Sequence, residues 1–330
     1  MLLAGDIGGT KTVLALFSTA VSQAPLHPIH LQTYPSNQFS SLEAIIAEFL
    51  RDKYEPVRAA SFGVAGPVVH GRSQITNLPW IIEAQAISQT FQIDKVTLLN
   101  DLESIANAVP HLQANDLAVI NQGKPEPGGA IAVIAPGTGL GEAFLIWNGQ
   151  RYQAQPSEGG HASFAPTNQD QCALLAFLEK KFKHVSFERV CSGSGIPNLY
   201  AFWRQDGRFP EPNWLREQID QAADPTPVIV EAGLANTAEI CTATVQMFVD
   251  ILAGEASNMA LKVLATGGVF LGGGIPPRLL NLLQTDRFIA TFGEKGRFTN
   301  LLLGMPLQVI CNPQTALLGA AWAGLDLLHD

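Results

Sequence analysis

The sequence predicts an α/β protein built from two similar halves around a cleft, and three observations carry that expectation. Strand-like apolar runs alternate with helix-like segments near the N-terminus, the pattern of α/β folds. Two glycine turns, Gly5-Asp6-Ile7-Gly8-Gly9-Thr10 and Gly137-Thr138-Gly139-Leu140-Gly141, stand in matching contexts. Each lies between apolar runs: residues 1–4 and 13–17 flank the first, 131–135 and 142–146 the second. The α/β theme then returns at the C-terminus, as a strand over 307–310 and a helix from Pro313 to about Leu328.

In chain order, strands are predicted over 2–6, 12–18 and 30–34. Ser40 and Glu43 form an S-x-x-E capping box, and Leu42, Ile45, Ile46, Phe49 and Leu50 follow at helical spacing. Residues 59–65 read as a buried strand ending in Gly66-Pro67. Residues 96–99 read as another, ending in Asn100-Asp101. A helix with Leu102, Ile105, Ala106 and Val109 on one face follows and stops at Pro110. Several strands are expected over 112–165 and mainly helix over 169–262. A strand over 268–271 runs into Gly272-Gly273-Gly274. No Ser-, Gly- or Pro-rich linker separates two parts, so a discontinuous arrangement is expected. Residues 1–111 plus 302–330 would form a small α/β domain and 112–301 a large α+β domain.

Bulk composition narrows the class. The 330 residues are 47% hydrophobic and 15% charged, which supports large cores rather than disorder. A net charge of −9 argues against nucleic acid or an acidic membrane as main partner. No signal peptide and no apolar run of membrane-spanning length is seen. The four cysteines are scattered and form no CxxC, which suits reduced thiols in the cytoplasm.

The glycine turns suggest chemistry. Strand, glycine turn with a threonine, strand is a hairpin whose tip offers backbone N–H groups and a hydroxyl to phosphate oxygens. Neither turn is a Walker P-loop, because Lys11 follows Thr10 and strand follows it. Asp6 would hold Mg²⁺ through water, since Mg²⁺ sheds water reluctantly. Gly272-Gly273-Gly274 reads either as a platform for a flat ligand or as the turn opening a helix at Pro276-Pro277. Asn100-Asp101 ends a strand and begins a helix. Both are preferred helix caps, which by itself accounts for the pair; a cap needs only one of them, so Asp101 can also accept a proton from a substrate hydroxyl. Glu158-Gly159-Gly160-His161 puts a carboxylate and an imidazole on one loop, partners for a polyhydroxylated ligand. Taken alone, Glu188 reads as a solvated helix charge, and Asn77 fits a structural or a binding role.

Together these motifs, with Glu188-Arg189-Val190, Ser192-Gly193 and a C-terminal helix, resemble the bacterial glucokinase family of the hexokinase–actin–Hsp70 superfamily. The resemblance spans essentially the whole chain and implies a duplicated RNase H-like fold. It implies ATP-dependent phosphorylation of glucose at the 6-hydroxyl, with Asp101 as general base. Asn100, Glu158, His161, Glu188 and Asn77 would bind the sugar. Gly5, Asp6, Ile7, Gly8, Gly9, Thr10, Gly137 and Thr138 would embrace the phosphates, and Gly272, Gly273 and Gly274 the adenosine. Closure on the sugar would exclude water, and a homodimer is implied. The chain departs from the family pattern at Val13, where many members carry Arg, and at Ser163, where many carry Asp. The related ROK sugar kinases carry a Cys-rich zinc motif that no cysteine here fits.

Overall fold

The computed structural model describes residues 1–20, 26–51, 56–75 and 78–329. The N-terminal elements are β1 (Leu2–Ile7), β2 (Lys11–Phe17), β3 (His30–Pro35), α1 (Leu42–Leu50), β4 (Ala59–Val64), β5 (Val68–Val69), β6 (Arg72–Gln74), β7 (Ile81–Glu83), α2 (Ala84–Phe91), β8 (Lys95–Asn100) and α3 (Asp101–Ala108). There follow β9 (Leu117–Asn121), β10 (Ile131–Pro136), β11 (Leu140–Trp147), β12 (Tyr152–Ser157), α4 (Gln169–Leu178), α5 (Ile196–Asp206), α6 (Asn213–Gln221), α7 (Thr226–Leu234) and α8 (Glu239–Val263). The chain ends with β13 (Gly268–Leu271), α9 (Leu280–Leu283), α10 (Asp286–Gly293), α11 (Thr299–Gly304), β14 (Leu307–Ile310) and α12 (Thr315–His329).

Two compact units result: residues 1–117, 148–156 and 312–330, and residues 118–147 and 157–311. The sequence expectation put 302–311 with the N-terminal part. Instead β14 pairs in parallel with β13, because its apolar residues complete the second unit's sheet, and the chain returns to the first unit at Asn312.

The two principal sheets repeat one topology. In the first, of order β3-β2-β1-β4-β8, β1 pairs antiparallel with β2 and parallel with β4. In the second, of order β12-β11-β10-β13-β14-β9, β10 pairs antiparallel with β11 and parallel with β13. The duplicated RNase H-like arrangement is therefore present, with a glycine turn in the equivalent hairpin of each copy. A three-stranded sheet, β5-β6-β7, is an addition that the sequence did not reveal.

Alternation along β1 explains the first unit's layers. Leu3 and Ile7 face a core with Ile45, Ile46 and Phe49 of α1 and Ile87 of α2. Leu2 and Ala4 face the opposite core, with Ala320, Ala321 and Leu325 of α12. The second unit is built around α8, 16 of whose 25 residues are buried. No single helix among the described residues is long and apolar enough to cross a membrane. The cap of α1 is Ser41, whose Oγ accepts from Ala44 N at 3.3 Å, one residue later than predicted. The helix after β14 begins at Thr315, with Pro313 in the turn before it.

Candidate active site

In the first unit, the β1–β2 turn is tied from behind. Ser36 Oγ donates to Gly8 O at 2.8 Å, Ser36 N donates to Thr10 O at 3.0 Å, and Gly8 N donates to Lys11 O at 2.9 Å. Thr12 Oγ1 lies 3.0 Å from Ser36 Oγ, and both side chains are buried. The turn's carbonyls are thus engaged inward, while Thr10 and Lys11 remain exposed. Sequence reasoning missed Ser36, because its role depends on β3 returning beside the turn. Asp6 stands opposite Val13 in the hairpin register. Burial pushes its carboxyl up; the Lys11 charge opposes that rise and the nearby Asp101 charge adds to it.

Asn100 and Asp101 divide their tasks. Asn100 caps α3, its Oδ1 accepting from Leu102 N at 2.8 Å, and its Nδ2 donates to Gly66 O at 3.3 Å. Asp101 is the first helical residue, and its Oδ1 also accepts from Leu102 N, at 2.9 Å. The predicted Gly66, Asn100 and Asp101 are thus brought together with Asp6 nearby. Asn77 lies outside the described residues.

In the second unit, the β10–β11 turn is buttressed by the segment before α5. Gly193 N donates to Gly137 O at 2.7 Å and Ser194 N to Thr138 O at 3.1 Å. Glu188 belongs to the same segment and is not a helix charge. Its backbone N donates to Gly160 O at 2.9 Å, and its Oε2 accepts from Leu140 N at 3.0 Å. One stretch of chain therefore fixes the glycine turn and the Glu158–His161 loop relative to each other. The loop forms a 3-10 turn pressed onto β11, so closely that a Cβ on Gly160 would lie 2.0 Å from Leu140 O.

His161 Nε2 lies 3.8 Å from Glu158 Oε2, and its Nδ1 lies 4.0 Å from Glu188 Oε1. Both separations exceed hydrogen-bond length, so these groups are gathered without consuming one another's donors and acceptors. Their side chains are 80%, 60% and 26% exposed for Glu158, His161 and Glu188. Such a trio suits hydroxyl groups better than a metal; among the described residues no group of three or more His, Cys, Asp or Glu forms a metal cluster.

The third glycine cluster separates into distinct parts. Gly272 N donates to Ile134 O at 2.8 Å, extending the β10–β13 pairing. Gly273 has φ +78° and sits where a Cβ would be 2.6 Å from Pro136 O, so both conformation and space demand glycine. Gly274 lines a cavity of about 820 Å³ together with Gly137, Thr138, Ser194, Leu234 and Arg278. Its size and mixed lining suit a nucleoside, and Gly137 has open space where a Cβ would project.

A glucokinase family model matches residues 3–326. The glucokinase of Nostoc punctiforme is 40% identical, over 97% of this chain and 98% of its own length. A crystal structure of glucokinase from an Antarctic psychrotroph is 32% identical, with a TM-score of 0.86 and 98% of each chain covered. A glucokinase of Balamuthia mandrillaris solved in complex with glucose has the same fold, at 20% identity and a TM-score of 0.78 over 98% of this chain and 93% of that one.

Proposed function

The chain belongs to the glucokinase family, and from that premise we propose how its residues divide the ATP-dependent phosphorylation of glucose to glucose 6-phosphate. The observation that carries the division is the placement of Asp101. It heads α3, next to the Asn100 that caps that helix, with one oxygen engaged by Leu102 N. The helix N-terminus favours negative charge there. Asp101 orients the 6-hydroxyl and takes its proton as the new P–O bond forms, a contribution of about 10²–10⁴-fold. Asn100, Asn77, Glu158, His161 and Glu188 hold the other hydroxyls.

The two glycine turns hold the phosphates of ATP through backbone N–H groups, with Thr10 and Thr138 adding hydroxyls. The cavity beside Gly274 takes the adenosine. Lys11, exposed and close in charge to Asp6, supplies the cation that the family pattern has at Val13. Alignment and charge stabilisation supply the rest of the rate.

Asp6 fits Mg²⁺ on the chemistry of its surroundings. It is a half-buried carboxylate whose burial and Asp101 neighbour both disfavour uncompensated negative charge. A divalent ion bound through water would relieve that, with its remaining ligands from water and phosphate. When bound, Mg²⁺ neutralises charge on the transferring phosphoryl group. The four free cysteines suit the cytoplasm, and the family resemblance supports a homodimer, to be checked by sedimentation velocity.

The test is Asp101→Asn. It keeps the shape and the Leu102 contact but cannot take a proton. We expect kcat to fall at least about a hundredfold while the glucose KM stays within several-fold. Near-normal turnover would remove Asp101 from the role of base. A coupled assay across glucose, mannose, glucosamine and fructose, with ATP, ADP and polyphosphate, tests acceptor and donor.

A further inference from the structure

Beneath the Glu158–His161 loop lies a carboxylate that the roles above leave unused. Glu142 is on β11, on the same strand face as Leu140, and is 1% exposed. Both its carboxyl oxygens lack a hydrogen-bond partner. It supports the loop directly: a Cβ on Gly159 would lie 2.0 Å from Glu142 Oε2. Gly159 N donates to Ser157 Oγ at 3.0 Å, so the loop backbone is pinned at its start and rests on Glu142 just after. A second carboxylate, Glu255 of α8, is 0% exposed. That one is compensated: Asn258 Nδ2 donates to its Oε2 at 2.9 Å, and Lys262 Nζ lies 3.4 Å from its Oε1.

We propose that Glu142 and Glu255 share a single ionisable charge, with Glu142 carrying a proton, and that neutral Glu142 is a positioning residue for the sugar-binding loop. A buried carboxylate with no donor around it carries a large desolvation cost, and a second carboxylate beside it adds repulsion. Protonation of the uncompensated partner removes both. Burial first, and then the Glu255 charge, push the Glu142 carboxyl up to about 8, with Lys262 opposing. The other titratable groups around the pair are Lys295, which burial holds below its usual range, and Cys191, which burial and both glutamates push up. Lys262 acts on both carboxyls but donates a hydrogen bond to Glu255, and Lys295 also acts on Glu255, so the positive charges favour ionised Glu255 and leave Glu142 as the neutral one.

The consequence reaches the sugar. When Glu142 ionises, two like charges and incoming water must be accommodated. Glu142 itself is held in the β10–β11 register opposite Ile134. Gly159 is the backbone pressed on its carboxyl, so the loop bearing Glu158 and His161 is displaced. Glucose affinity falls in alkaline solution, while the Asp101 chemistry is unaffected. This rests on the assignment of Glu158 and His161 to sugar binding.

The experiment compares wild type with Glu142→Gln, a neutral isostere. We expect the wild-type glucose KM to rise about fivefold or more between neutral pH and about pH 9, with ATP KM and kcat changing much less. Glu142→Gln should hold the neutral-pH glucose KM across that range. Infrared difference spectroscopy at neutral pH should show a protonated-carboxyl C=O band in wild type that Glu142→Gln lacks. Identical KM–pH profiles, or no such band, would overturn the proposal. Should Glu142→Gln fail to fold, Glu255→Gln serves. Without the neighbouring charge the band must titrate away at lower pH, and an unmoved band overturns the pair. Glu158→Gln and His161→Ala at neutral pH test the underlying assignment separately, since an unchanged glucose KM there rejects sugar binding by the loop whatever Glu142 does.

Discussion

Glu188 performs two tasks with one carboxyl group. Oε2 accepts from Leu140 N, at the exit of the β10–β11 turn, and Oε1 faces His161 on the Glu158–His161 loop. The two tasks separate by substitution. Glu188→Gln keeps an acceptor for Leu140 N and loses the charge; it should raise the glucose KM about tenfold and leave the ATP KM within about twofold. Glu188→Ala also strands the Leu140 N–H, at a cost of about 1–3 kcal/mol. It should raise both KM values, each measured with the other substrate saturating. Equal effects of the two variants on ATP would mean that the Leu140 contact does not shape the turn. Taken alone, Glu188 reads as a solvated helix charge, and only the family resemblance assigns it to the sugar. Its Leu140 contact joins residues 48 positions apart, and no local pattern encodes it.

At the scale of elements, α3 carries Asp101, and α12 sets where α3 lies. Gly319 of α12 touches α3 so closely that a Cβ would lie 1.6 Å from Ser104 O, and Ser104 Oγ donates to Ala316 O at 2.7 Å. Gly319→Ala must push the helices apart, at a cost of about 1–3 kcal/mol or more. It should lower both Tm and kcat, because the displaced helix carries Asp101, the proposed base. Gly254 in the middle of α8 is the contrast: nothing lies within 4 Å of its would-be Cβ. Gly254→Ala should stabilise by about 0.5–1 kcal/mol through helix propensity, with activity unchanged. Thermal unfolding and kcat measured together decide both. These helices also show what the sequence exposes. The α1 stripe and both hairpins were legible because apolar period and glycine turns are local signals. Asn100-Asp101 was legible because a cap sits at a strand's end. Ser36, Glu142 and the β5–β7 sheet were not. Their roles come from pairings between distant segments, and a lone Ser or Glu in an apolar run carries no mark of the partner that will meet it.

For the molecule as a whole, two titratable groups, one half-buried and one buried, bend the stability curve in opposite directions, one in each unit. His111 in the first unit stacks on Trp322 with ring centroids 3.7 Å apart, and burial lowers its pKa to about 4 from 6.5. The unfolded chain therefore binds the extra proton between those values, and stability drops as pH falls through that window. Glu142 in the second unit has the reverse sign. Its folded pKa of about 8 lies above the ordinary 4.5, so its stabilisation is complete below the lower value and is lost as pH rises through the upper one. Between 4.5 and 6.5 the two slopes oppose each other, so their joint contribution is a plateau with a fall on either side. Each limb has its own owner. His111→Gln should flatten the acid limb and spare the alkaline one; Glu142→Gln should do the opposite and exceed wild type in Tm at about pH 9. Groups other than Glu255 contribute a background common to wild type and variant, so the differences isolate His111 and the Glu142–Glu255 pair. His111 shifts over the narrower pH window, so its limb is the smaller in total. Tm against pH by calorimetry, with about 2–4 °C expected per kcal/mol in a chain of this size, measures both. If His111→Gln alters the alkaline limb, or Glu142→Gln the acid one, the assignment of the acid slope to His111 and of the alkaline slope to the Glu142–Glu255 pair is wrong.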